Sequence, residues 1–175
     1  GTVTFASSDT QAALPADYTF MAADAGSHTF GITYKSAGGQ DITVADNGVH
    51  PVPQYYQAAT WSYYQRDIMV TPDVLSTFAF KAASASNTTA GAMQTLTVSA
   101  SDAYGNTINN YVGTAKFTTS DAQANMPSSY TFTAADGGTH AINVTLKTAG
   151  SQTVSVTDNA NASITGSLTS TVKAA

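Results

Sequence analysis

The chain has 175 residues, room for one large or two ordinary domains, and its 42% hydrophobic content suffices for a packed core. The net charge is −5, and the six basic residues stand singly at Lys35, Arg66, Lys81, Lys116, Lys147 and Lys173, so no basic stripe offers itself to nucleic acid. Cysteine is absent, which excludes disulfides, thiol catalysis and zinc–thiolate sites.

Charged residues make up only 10% of the chain, and all eleven acidic residues are Asp. Surface polarity therefore falls to Thr, Ser, Asn and Gln. Thr favours strands, because its branched Cβ packs well on a pleated surface, and few residues here favour helix. No apolar run approaches the roughly 20 residues of a membrane-spanning helix, so membrane insertion is not expected. Gly1 is not expected to be a natural start.

In chain order, period-two alternation appears first at Tyr18 and Phe20, then at His28, Phe30, Ile32 and Tyr34, then at Ile42 and Val44. It predicts half-buried antiparallel strands separated by turns such as AADAGSH. Residues 47–70, NGVHPVPQYYQAATWSYYQRDIMV, break the pattern. A strand is predicted over Leu75–Ala82, with Phe78 and Phe80 on one face. Another is predicted over 92–101, with Leu96, Val98 and Ala100 facing one way. The turn SDAYGN follows, and alternation then resumes at Tyr130 and Phe132, at His140, Ile142, Val144 and Leu146, and at Val154 and Val156. The closing strands are expected within 162–173.

The alternation returns because the sequence does. Residues 1–46 and 113–158 align without a gap at a constant offset of 112, and 23 of the 46 positions are identical. Turn residues match as well as apolar ones: Pro15 with Pro127, Asp24 with Asp136, Gly26 with Gly138, and Gly38 with Gly150. These are two copies of one module. The fold class expected is all-β, with two tandem immunoglobulin-like β-sandwiches: residues 1–74 and residues 75–175, the latter with seven or eight short strands.

The run AMQTLTVSASDAYGN, continued by the YTFTAADGG turn and the KTAGSQT segment, resembles the bacterial immunoglobulin-like repeats of large surface and adhesin-type proteins. The resemblance covers residues 75–175 fully and 1–74 in part. It implies an extracellular location at the cell surface and a role as spacer, stalk or filament building block, without implying a ligand.

Copy one has no counterpart of residues 75–112, hence of Phe78, Phe80, Leu96 and Val98. Burying four such side chains contributes roughly 6–12 kcal/mol, comparable to the stability of a whole domain. The first module is thus expected to be incomplete in cis, with an open sheet edge facing neighbouring repeats or identical subunits. Three sources of completion are open: strands upstream in a longer protein, strands donated by another subunit, or residues 47–70 folding back.

The insert, about residues 47–66, holds the one Trp and the one Arg of the chain. Tyr55, Tyr56, Trp61, Tyr63, Tyr64 and Arg66 are the candidate ligand or interface residues, as rings that stack on surface glycans or pack at a junction. A carbohydrate-binding module is therefore the rival reading. Catalysis is not expected: no G-x-S-x-G elbow is present, and His28 and His140 recur at one repeat position, as architecture does. No cofactor is expected. No calcium loop of the D-x-[DN]-x-[DN]-G type occurs, and structural calcium would need Asp46 with Asp73, or Asp102 with Asp158, at a module junction. The simpler expectation is that each Asp caps its own turn.

Overall fold

The computed structural model describes residues 1–46, 62–63, 68–82 and 87–175, and these are all-β apart from two short 3-10 turns. Two compact units divide the chain, Gly1–Thr71 and Pro72–Ala175.

Unit 1 contains β1 (Thr2–Ser7), β2 (Tyr18–Thr19), β3 (Gly38–Gln40), β4 (Ile42–Asp46), β5 (Ser62–Tyr63) and β6 (Ile68–Val70). One sheet has the order β2-β1-β4-β5, and β3 pairs with β6. All four pairings are antiparallel.

Unit 2 contains β7 (Thr77–Ala82), β8 (Asn87–Thr89), β9 (Met93–Ser101), β10 (Thr114–Thr119), β11 (Ser129–Thr131), β12 (Thr139–Thr145), β13 (Gly150–Asp158) and β14 (Thr165–Lys173). A five-stranded sheet runs β11-β10-β13-β14-β8 and a three-stranded sheet runs β12-β9-β7. Alternation sets their buried faces. Leu96, Val98 and Ala100 of β9 meet Val154 and Val156 of β13 in one core, with Phe78, Phe117, Phe132, Ile142, Val144 and Leu146. At the edge where the two sheets close, β14 touches β7. A Cβ built on Gly166 would lie 2.0 Å from the Phe78 carbonyl oxygen, so only glycine fits there.

The repeat is visible in the register. Phe5 pairs with Val44 as Phe117 pairs with Val156, and Val3 with Asp46 as Ala115 with Asp158. Strand β13 is continuous over nine residues and lies along β14, whereas its counterpart in unit 1 is split into β3 and β4. These pair with β6 and β5 in ladders one residue out of register with each other.

Three elements differ from the sequence expectation. His28, Phe30, Ile32 and Tyr34 alternate like a strand, yet Ser27–Thr33 is not one: its twin, β12, is a strand because β9 lies beside it. The segment that breaks the repeat, for which folding back was one of three open possibilities, contributes β5 and β6, which pair with β4 and β3 in the place of β14 rather than in that of the missing strands. The closing strand of unit 2 begins at Thr165, because Asn161 turns the chain by accepting from the Ser163 N–H and hydroxyl.

Candidate functional site

Of the aromatic cluster, Tyr55, Tyr56, Trp61, Tyr64 and Arg66 lie outside the described residues. The backbone of Tyr63 is placed in β5, opposite Val44.

The polar residues that the two units share build the turns. Asp9 accepts from the N–H groups of Lys35 (2.6 Å), Ser36 (2.9 Å) and Gln11 (2.9 Å) and from the Ser36 hydroxyl (2.7 Å). Asp121 accepts the same four from Lys147 (2.6 Å), Thr148 (2.9 Å), Gln123 (3.0 Å) and the Thr148 hydroxyl (2.7 Å). Burial raises the Asp9 carboxyl, but the Ser36 hydroxyl and these N–H groups outweigh it and hold it well below the usual carboxylate range. At Asp121 the Thr148 hydroxyl and N–H lead, and the result is the same. These carboxylates cap their own turns, as expected, but they also clamp a loop some 26 residues away, which sequence spacing alone does not show.

Asp24 and Asp136 hold the second shared cluster. Each accepts from the N–H three residues before it, at 2.6 Å in both units, and from the hydroxyl of Tyr18 or Tyr130. His28 stacks on Tyr18 with ring centroids 4.0 Å apart and His140 on Tyr130 at 3.4 Å. The histidine Nδ1 lies 3.5 Å from Asp24 in one unit and 3.0 Å from Asp136 in the other. A third pair, Ser8–Gln40 and Ser120–Gln152, joins at 2.8 and 2.6 Å.

Asp102 and Asp158, raised above as possible calcium ligands, are occupied separately. Asp102, 1% exposed, accepts from the N–H groups of Asp73, Tyr104 and Asn106 and from the Asn106 amide. Asp158 accepts from the Tyr111 hydroxyl and the N–H groups of Ala160 and Asn161. Among the described residues no three histidine or acidic side chains gather into a group fit for a metal ion.

What distinguishes the units is cover. In unit 2, Phe117, Phe132, Ile142, Val144, Leu146, Val154 and Val156 are all at most 5% exposed. Their twins Phe5, Phe20, Phe30, Ile32, Tyr34, Ile42 and Val44 are only half-buried, and none joins a buried core. The rings of Phe78 and Tyr111 lie over Phe132, with centroids 6.4 and 5.0 Å away. Among the described residues nothing lies over Phe20 in the same way. The rings of unit 1 lean on one another instead: Phe5 on Phe30 at 4.7 Å and Tyr18 on Phe30 at 5.4 Å. A Cβ on Gly138 would lie 2.2 Å from the Ile108 carbonyl oxygen, while the same point at Gly26 has nothing within 4 Å among the described residues.

The backbone shows the same opening. Each residue of β12 pairs with one of β9, from Thr139 with Ser99 to Thr145 with Met93. In unit 1, Thr33 bridges to Ala13 as Thr145 bridges to Asn125, but His28–Ile32 forms no backbone hydrogen bond to a described residue. The Tyr34 hydroxyl is buried with no partner among the described residues. Among the described residues, this stretch of backbone is unpaired and lies beside a half-covered apolar face.

No protein-family model and no curated protein matches the chain. Solved structures do. A β-glycosidase from Bacteroides vulgatus aligns over 98% of this chain and 21% of its own length, with 11% identity and a TM-score of 0.51. A glycosyl hydrolase family 2 member from Bacteroides cellulosilyticus aligns over 97% and 23%, with 11% identity and a TM-score of 0.50. The Escherichia coli adhesin FdeC aligns over 82% and 43%, with 24% identity and a TM-score of 0.45. The chain thus spans about a fifth of the glycosidases it resembles, and at this identity the likeness is one of fold.

Proposed function

We propose that the chain is a structural and adhesive repeat of a bacterial surface protein: two immunoglobulin-like sandwich modules in tandem, serving outside the cell as spacer, stalk or filament building block. One observation carries the reading. The polar residues common to both units are engaged in locking turns to sheets, from Asp9 and Asp121 to Tyr18–Asp24 and Tyr130–Asp136. Residues repeated for the sake of architecture are what a repeated mechanical unit needs, and a catalytic site needs a convergent set instead. The low charge and the absence of cysteine fit such an array. Unit 2 is the complete module, and unit 1 is the same module without its first strand pair.

Affinity electrophoresis of the chain through gels loaded with cellulose, xylan, mannan or chitin derivatives tests this reading. A spacer migrates unretarded in all of them. Retardation that disappears in a Trp61→Ala variant would replace this reading with a carbohydrate-binding module built on the insert.

A further inference from the structure

We infer that the open backbone of His28–Ile32 accepts one added β-strand of the β9 type, which enters antiparallel with its Leu96-like residue opposite Phe30. The inference rests on the modular reading above and specifies the partner of its open edge.

Unit 2 shows what covers this face. There β9 pairs Val98 with His140, Leu96 with Ile142 and Gln94 with Val144. The offset of 112 carries these partners onto His28, Phe30 and Ile32. The occupant is therefore an extended segment with apolar side chains at every second position, as in MQTLTVSAS. Register is fixed by that alternation: a slip of one residue would turn Leu96-like and Val98-like side chains to solvent.

The site takes one strand rather than the β7–β9 pair. In unit 2, β7 comes so close to β14 that Gly166, opposite Val156, has no room for a Cβ. The residue opposite Val44 in unit 1, the twin position, is Tyr63. Tyr63 is not a glycine, so the close approach of β7 that Gly166 permits is not available at that position, whereas no described residue pairs with His28–Ile32 in the place of β9. A second copy of this chain is a poor donor, because its own β9 is held on one side by β12 over seven residue pairs and on the other by β7 over six. The donor is a free strand of the same module type.

Hydrogen exchange of the full chain, alone and with synthetic peptides, tests this. A peptide of residues 92–102 at about 1 mM should slow exchange of the His28, Phe30 and Ile32 amides, which alternate toward the added strand, by at least roughly tenfold, because backbone pairing is what protects amides. The same peptide carrying Leu96→Asp and Val98→Asp should not, and neither should a peptide of residues 77–82. These changes lie in the peptide, so the fold of the receptor is not in question. No protection by the 92–102 peptide overturns the inference. Equal protection by the 77–82 peptide overturns its single-strand form. Protection without peptide also overturns it: if it grows with chain concentration a second copy is the occupant, and if it does not the chain covers itself. A spacer that binds no glycan and no peptide would lose this inference alone. Glycan retardation would instead remove the modular reading and leave the peptide result standing.

Discussion

Asp9 and Asp121 each bind two loops into one turn through four hydrogen bonds, and each sits almost wholly out of solvent at 4% and 2% exposure. Replacing Asp121 by Ala leaves the N–H groups of Lys147, Thr148 and Gln123 without their acceptor. Thermal melting should show unit 2 losing on the order of 10 °C, typical for a broken buried network. The same carboxylates set the response to acid. Asp9, Asp24, Asp102, Asp121, Asp136 and Asp158 all have folded pKa values below their ordinary one. Below about pH 4 the unfolded chain therefore binds more protons than the folded one. Their contribution is full above that pH and is lost as pH falls through the depressed values, so melting temperature should be flat from pH 7 to about 5 and decline below about 4. One residue shows that the two copies have drifted apart. Ala25 adopts φ +50° where the twin is Gly137 at φ +55°, and a left-handed alanine costs about 1 kcal/mol. Ala25→Gly should therefore be neutral or stabilising in a denaturant titration, where most glycine substitutions destabilise.

At the scale of elements, the twins form an internal control. Ile142 in β12 is 3% exposed, so Ile142→Ala should cost about 2–5 kcal/mol in urea unfolding. Phe30, its twin, is half-buried, and Phe30→Ala should cost distinctly less although more carbon is removed. Gly166→Ala should destabilise by about 1–3 kcal/mol, since β7 must move away from β14 to admit the methyl group. Much of this layout is legible in the amino-acid sequence. The alternation in AMQTLTVSAS marks β9 and its inward face, and the offset of 112 marks which residues are twins. What is not legible depends on partners. The alternation of His28, Phe30, Ile32 and Tyr34 is that of a strand, but a strand exists only where a neighbour accepts its hydrogen bonds, and periodicity does not report the neighbour. Likewise the clamp from Asp9 to Lys35 and Ser36 joins residues whose proximity is a property of the fold. The short, irregular ladders of β5 and β6 escape notice because aromatic and proline-rich sequence around them hides their period.

For the whole molecule, the two units carry unequal shares of core. Every buried apolar residue among those described belongs to unit 2. Residues 72–175 expressed alone should therefore melt cooperatively at nearly the temperature seen for that transition in the full chain, while residues 1–71 alone should melt broadly or bind a dye for exposed apolar surface. The aromatic segment proposed as a ligand or interface site was legible only as composition, with ring-rich sequence that breaks a repeat, and composition does not say whether rings face solvent or a neighbour. The central claim is that one module occurs twice and that only the second copy has its β9. Native-state hydrogen exchange on dilute full chain compares the two directly, amide by amide, at 28, 30 and 32 and at 140, 142 and 144, the positions whose N–H groups face β9 in unit 2. Protection of the second set by orders of magnitude over the first is the expected result. Equal protection of both would mean that the first copy is already closed, and would contradict the account.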